Sequence, residues 1–206
     1  MAALLVLGVL MFVVVAMTRS WSDGSEHGPW RVVFTGFGTV RGEARSLHLS
    51  PRPADSTEHT HAALVVSRRS YGDLSLTTSV TTERQLRTGS PNLWEVGWVL
   101  WHYQDPHRFY ALTLKPNGWE LSKQDPEHPG GQRFLASGTN PAFPIGTTHV
   151  VGVTQVGNTI KVSADGLLLT AFSDDDKPYL SGANGFYTED AEVRFRSIRA
   201  VEVTAP

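Results

Sequence analysis

Carboxylates, tyrosines, lysines and histidines that could do chemistry are scattered along this chain, and few are spaced to act together. Lys115 and Glu120 flank one turn, while Glu189, Asp190 and Glu192 lie close together near the C-terminus. Neighbouring strand residues face opposite ways, so Glu189 and Asp190 diverge and Asp190 shares a face with Glu192. No second carboxylate can be set beside Glu120, so hydrolysis by a carboxylate pair has no visible apparatus. Lyase chemistry needs a base beside a neutralised acid, and Tyr103 or Tyr110 with Lys115 and Arg87 supplies those residue types. His59 and His61 share a strand face but lack an identified third ligand for zinc. Asp174-Asp175-Asp176, or Asp190 with backbone carbonyls, offers the oxygen ligands that calcium takes, and Asp190 is the candidate metal residue. Gly36-Phe37-Gly38 lacks the strand-to-helix context of a phosphate loop.

The elements that position these residues read as strands. Between Trp30 and Val203 no apolar period of 3.6 residues persists, whereas short β-branched and aromatic runs alternate with Gly, Pro, Asn and Asp. That pattern indicates an all-β sandwich or barrel. Asn117-Gly118 read as a two-residue turn sets Lys115 opposite Glu120, Leu114 opposite Leu121 and Thr113 opposite Ser122. Gly157-Asn158 and Asp165-Gly166 set Val153, Val162 and Leu169 in one apolar row. The connection Gln104 to Arg108 pairs Tyr103 with Phe109, provided no bulge intervenes. Trp101, Tyr103, Phe109, Ala111, Thr113, Lys115, Glu120 and Ser122 then form an aromatic and polar face, and Trp98, Leu100, Leu112 and Leu114 point to the core. Without a ligand, the same residues serve as cross-strand stabilisers and a surface ion pair.

Bulk composition narrows the class. The 206 residues carry a net charge of -2 and no Lys/Arg-rich run, which speaks against a nucleic-acid partner. The absence of cysteine removes disulfides, thiolate catalysis and cysteine zinc sites. Ala2 to Met17 is free of charge and somewhat short for a membrane span, so residues 1–17 read as a signal peptide or membrane anchor. Residues 18–28 read as a polar linker and 29–206 as one domain, with a secreted or extracytoplasmic location, membrane-anchored if residues 1–17 are retained.

Asn158 to Gly166 resembles the strand and turn signature of laminin G-like and other concanavalin A-like jelly rolls, as does Ser181 to Tyr187 before the last strand. With the block from Glu95 to Lys123, the chain resembles bacterial secreted domains related to 3-keto-disaccharide hydrolases and family 16 glycoside-hydrolase-like proteins. The resemblance implies a two-sheet antiparallel jelly-roll sandwich, a curved groove for saccharide and, in several members, structural calcium. Sugar rings present C–H faces that pack on aromatic side chains and hydroxyls that need fixed partners. Trp101, Tyr103, Lys115, Glu120 and Arg87 are therefore the expected carbohydrate-binding residues. The Glu-x-Asp-x-x-Glu strand of the hydrolases is absent. A carbohydrate-binding domain is the leading expectation. A lyase or atypical glycoside hydrolase of the same fold, and a protein-binding adhesion domain, are the alternatives.

Overall fold

The structure, a computed structural model, describes residues 19–56 and 58–203. Two antiparallel sheets form a sandwich. One has eight strands in the order β1 (Glu26–His27), β2 (Trp30–Phe34), β5 (Ala62–Tyr71), β14 (Gly182–Glu189), β7 (Gly97–Asp105), β8 (Arg108–Lys115), β9 (Gly118–Gln124) and β10 (Gln132–Gly138). The other has seven, ordered β13 (Leu167–Ser173), β12 (Thr159–Ala164), β11 (Thr148–Val156), β6 (Leu74–Gln85), β15 (Ala191–Glu202), β4 (Ser46–Ser50) and β3 (Thr39–Glu43). This is the expected all-β jelly-roll architecture.

Strand alternation builds the core. Val32, Val65, Phe186, Val99, Leu112 and Leu121 from the larger sheet meet Leu49, Leu76, Val80, Val153, Val162 and Phe195 from the smaller, all nearly inaccessible to solvent. At about 25 cal/mol per Å² of apolar surface removed from water, this layer is the main stabilising term. The sheets press close at Gly97, where a Cβ would lie 2.6 Å from Val193 and 2.7 Å from Val80. A second apolar cluster, with Leu64, Val66, Trp98, Leu100 and Ala111, lies on the outer face of the eight-stranded sheet.

The stretch expected as a linker is docked. Trp21 N–H donates to Val40 O at 2.6 Å, its ring stacks on His27 at 4.3 Å, and β1 pairs with β2. Residues 1–17, read as a leader or anchor, lie outside the described residues. No helix among the described residues is long and apolar enough to cross a membrane.

Three registers differ from expectation. The β8–β9 turn centres on Pro116-Asn117, so Thr113 faces Glu120 and Lys115 faces Gly118. Proline favours the first central position of such a turn, and Gly118 follows at φ 131°, where a Cβ would lie 1.9 Å from Gly138 O. That two-residue change preserves the faces. Val153 faces Val162 as expected, but a bulge pairs Val162 with Thr170 in place of Leu169. In the β7–β8 hairpin, Asp105 pairs with Arg108 and Trp101 with Tyr110, leaving three residues opposite one. His102 takes up the irregularity at φ 48°. The resulting bulge keeps Tyr103 stacked on Phe109 at 6.0 Å but reverses the phase upstream. Trp101 turns inward, and Trp98 and Leu100 turn outward, the opposite of the sequence expectation.

Candidate functional site

Backbone pairing lays out the outer face of the eight-stranded sheet. One row runs Leu64, Tyr187, Trp98, Thr113, Glu120 and Ser137 across β5, β14, β7, β8, β9 and β10. Trp98 and Tyr187 meet edge to face at 5.3 Å. The next row carries Leu100, Ala111, Ser122 and Phe134. The inner part of both rows is buried, so contact with a ligand falls to their β9–β10 end.

There Lys115 and Glu120 pair as expected, through Nζ and Oε1, and both are largely buried. Their cover is Trp94, from the loop preceding β7. Its indole Nε1 donates to Glu120 Oε2 at 2.7 Å, and Lys115 Nζ lies 4.5 Å from its ring centroid. The loop is fixed from both sides: Asn92 Oδ1 accepts the Trp94 N–H at 2.8 Å, and Trp98 Nε1 donates to Trp94 O at 3.0 Å. Trp94 is nevertheless 38% exposed. Phe134, on edge strand β10, is 58% exposed because a bulge sends both Leu135 and Ala136 toward the core and leaves Phe134 opposite Ser122 outside. Around the ion pair, Lys115, Asn117, Glu120, Ser137 and Thr139 line a cleft of about 380 Å³. The arrangement offers two exposed aromatic faces, hydroxyl and amide groups, and a carboxylate whose oxygens retain lone pairs.

Of the expected site residues, Lys115 and Glu120 come together here. Tyr103 is on the same face but buried against Phe109, away from the cleft. Trp101 is a correction: it is fully buried between the sheets, stacked on Tyr110 at 5.6 Å, with Nε1 donating to Gln155 Oε1 at 2.7 Å. Arg87 is a second. It lies buried between Glu95 and Asp190, with Nη2 2.8 Å from Asp190 Oδ2, and Nη1 donates to His59 O at 2.8 Å. The lyase set is therefore dispersed. Tyr110 is itself buried, and burial followed by its bond to Asp174 holds its hydroxyl far above the usual phenol range. Trp94 and Phe134 were missed. Trp94 reads as the start of a strand, and the adjacent apolar residues of Phe134-Leu135-Ala136 give no alternation that would orient the ring.

The metal expectation also changes. Asp190 Oδ1 accepts N–H groups from Ala54 at 3.0 Å and His61 at 3.3 Å, and Oδ2 holds Arg87. A guanidinium and two amide donors occupy the directions a calcium ion would need, so Asp190 does not fit a metal ligand. The three aspartates diverge as well. Asp174 holds Lys123 at 2.8 Å and the Tyr110 hydroxyl at 2.5 Å, Asp175 accepts from Asn158, and Asp176 pairs with Arg133. Burial pushes the Asp174 carboxyl up, but the bonds from Lys123 and Tyr110 outweigh it and hold the group below its ordinary range. The three ammonium hydrogens of Lys123 are satisfied by Asp174, Asp176 O and Lys177 O. His59 and His61 make separate bonds to Ser56 and Arg52 O.

On the outer face of the other sheet, ligand atoms of His48, Glu83 and Glu192 lie within 4.8 Å of one another. His48 Nδ1 accepts from Arg41 Nε at 3.1 Å, so Nε2 carries the proton and donates to Glu192 at 2.8 Å. Arg84 and Arg194 hold the two glutamates. A nitrogen bearing a proton and carboxylates already facing arginines make this an ion network, and it does not fit calcium. Burial depresses the His48 pKa below 6.5; the Glu192 bond opposes that shift, and Arg194 and Arg41 add to it. A depressed folded-state pKa means His48 contributes stability above about pH 6.5 that is lost as pH falls through the lowered value. The urea midpoint of the protein should therefore fall more steeply between pH 7 and pH 5 than that of His48→Gln. Equal slopes would show that His48 does not titrate differently in the folded protein.

No protein-family model matches the sequence, and no curated protein does. Solved structures do. The carbohydrate-binding module CBM66 from Bacillus subtilis superposes with a TM-score of 0.63 at 14% identity, over 89% of this chain and 98% of that one. A Bacillus subtilis protein of unknown function with a galectin-like fold gives 0.59 at 16% identity, over 91% of this chain and 100% of that one. The exoplasmic/lumenal domain of VIP36, solved in a Ca2+/Man3GlcNAc-bound form, gives 0.59 at 10% identity, over 91% of this chain and 89% of that one. At these identities the likeness is one of fold, a two-sheet antiparallel jelly-roll β-sandwich.

Proposed function

We propose that this is an extracytoplasmic carbohydrate-binding domain that takes a glycan on the outer face of its eight-stranded sheet, at the β9–β10 end. The observation that carries the reading is the exposed Trp94, bonded to Glu120 of a cleft lined by Asn117, Glu120, Ser137 and Thr139, with a second exposed ring, Phe134, in the next row of the same face. Aromatic faces accept the C–H faces of sugar rings, and the cleft supplies partners for hydroxyls. CBM66 and the glycan-bound VIP36 domain support the reading by sharing the fold.

Trp94→Ala and Phe134→Ala should each weaken glycan binding on an array or by calorimetry by about 30-fold, the effect of losing an aromatic anchor of about 2 kcal/mol. Phe134→Ala should leave the urea midpoint near that of the unmodified protein, since the ring is mostly in water. A double variant that binds as well as the parent protein, or a parent that binds no glycan, would sink the reading and leave protein adhesion as the better account.

One observation favours an enzyme of the kind found among 3-keto-disaccharide hydrolase-like or family 16-like domains. Burial raises the Glu189 carboxyl above its ordinary range despite the hydrogen bond from Tyr187, as a general acid requires. The carboxylates close enough to act on it, Asp190 and Glu95, are both buried and hold Arg87. Tyr187 and Glu120 stand three strand spacings apart, about 14 Å of backbone, beyond the carboxylate separation of either glycosidase class. Binding is the better supported function.

A further inference from the structure

A separate cavity of about 320 Å³ opens between the two sheets, near the start of β14. Its walls are the buried Trp30 and Ile198, with Tyr71 and Ala200 packed against the same core. Into this apolar lining comes one amide. Asn184 is 2% exposed, and its side-chain Oδ1 meets no donor. A hydroxyl of the lining is already committed: Ser67 Oγ donates to Arg69 O at 2.6 Å and accepts the Asn184 backbone N–H at 3.0 Å. Buried polar groups without partners are rare in folded proteins and call for a ligand or an ordered water.

Two arginines stand at the rim. Arg68 and Arg69 line the opening, the latter 4.9 Å over the Tyr71 ring. Their ion pairs, to Glu26 and Glu202 at 3.0 Å each, are about half exposed, and so weakly held. A guanidinium has five donors, so both keep N–H groups for an incoming anion.

We propose that this cavity binds a small carboxylic acid built on one apolar ring with a hydroxyl at its far side. The hydroxyl meets the Asn184 carboxamide, the ring packs against Trp30, Tyr71 and Ile198, and the carboxylate lies at the rim on Arg68 and Arg69. A carboxamide can both accept from and donate to a hydroxyl, so it serves that group in either orientation of the amide. The mainly apolar walls disfavour a free monosaccharide, whose many hydroxyls would find too few partners. The site is independent of the glycan cleft on the outer face.

Calorimetric titration with 4-hydroxybenzoate, benzoate and 4-hydroxybenzyl alcohol tests the assignment. The hydroxy acid should bind best. Benzoate, which leaves the amide unmet, should bind about tenfold more weakly or worse. The alcohol should bind weakly and with little dependence on salt. Asn184→Leu should erase the preference for 4-hydroxybenzoate over benzoate while keeping Tm at or above that of the parent protein, because it removes an unpaired amide. The double variant Arg68→Gln/Arg69→Gln should weaken both acids and spare the alcohol. If none of the three compounds binds the parent protein, the proposal fails. It also fails if Asn184→Leu lowers Tm by several degrees, which would identify the amide as the partner of a resident structural water.

Discussion

Arg87→Ala is expected to cost about 3–5 kcal/mol of unfolding free energy, the usual effect of removing one partner from a buried ion pair. Arg87 lies between two fully buried carboxylates. Without it they do not suffer equally. Asp190 keeps the Ala54 and His61 amides, whereas Glu95 loses its donor at Oε1 and already has none at Oε2. Glu95 then becomes a buried charge without compensation. Adding Glu95→Leu should recover part of the loss by removing the stranded charge. Urea unfolding at pH 7 measures both effects. A deficit under about 1 kcal/mol would mean that the triad is hydrated and that Arg87 is free to serve elsewhere.

Trp101→Ala should be comparably damaging, by about 3–5 kcal/mol, through the cavity left by a buried indole. It also deprives the buried Gln155 Oε1 of its donor. The contrast with Phe134 separates packing from recognition. Phe134→Ala should impair glycan binding with the fold intact, whereas Trp101→Ala should shift the urea midpoint first and affect binding only through the folded fraction. A Trp101→Ala protein with an unchanged midpoint and no glycan binding would place that ring in the ligand site after all.

That contrast shows what local pattern can and cannot convey. The alternation of Leu112, Leu114 and Leu121 with Thr113, Lys115, Glu120 and Ser122 was legible because the short turn at Pro116-Asn117 leaves few registers, and the difference between them is two residues, which preserves the faces. Trp98 and Trp101 were exchanged because both faces of β7 are apolar. Val99 and Trp101 point in, and Trp98 and Leu100 point out into a second apolar cluster, so hydrophobicity alone does not reveal the extra residues at the His102 bulge. Arg87 was read as a carbohydrate-binding residue and Asp190 as a metal ligand because a buried triad is assembled from chain segments about a hundred residues apart. The pairing of Trp94 with Glu120 is equally non-local. The residue types at the site were readable, and their company was not.

The bulge that turns Phe134 outward has a consequence for colloidal behaviour. The eight-stranded sheet ends at β1, only two residues long, and at β10, which has seven and is therefore the longer outer border. A regular outer strand is a template on which another chain can continue the ladder, and an exposed phenylalanine there would strengthen the invitation. Breaking the two-residue repeat between Phe134 and Ala136 spoils the match for any strand approaching from solvent. The same irregularity that presents an aromatic ring to a ligand thus keeps that ring from seeding edge-to-edge aggregation.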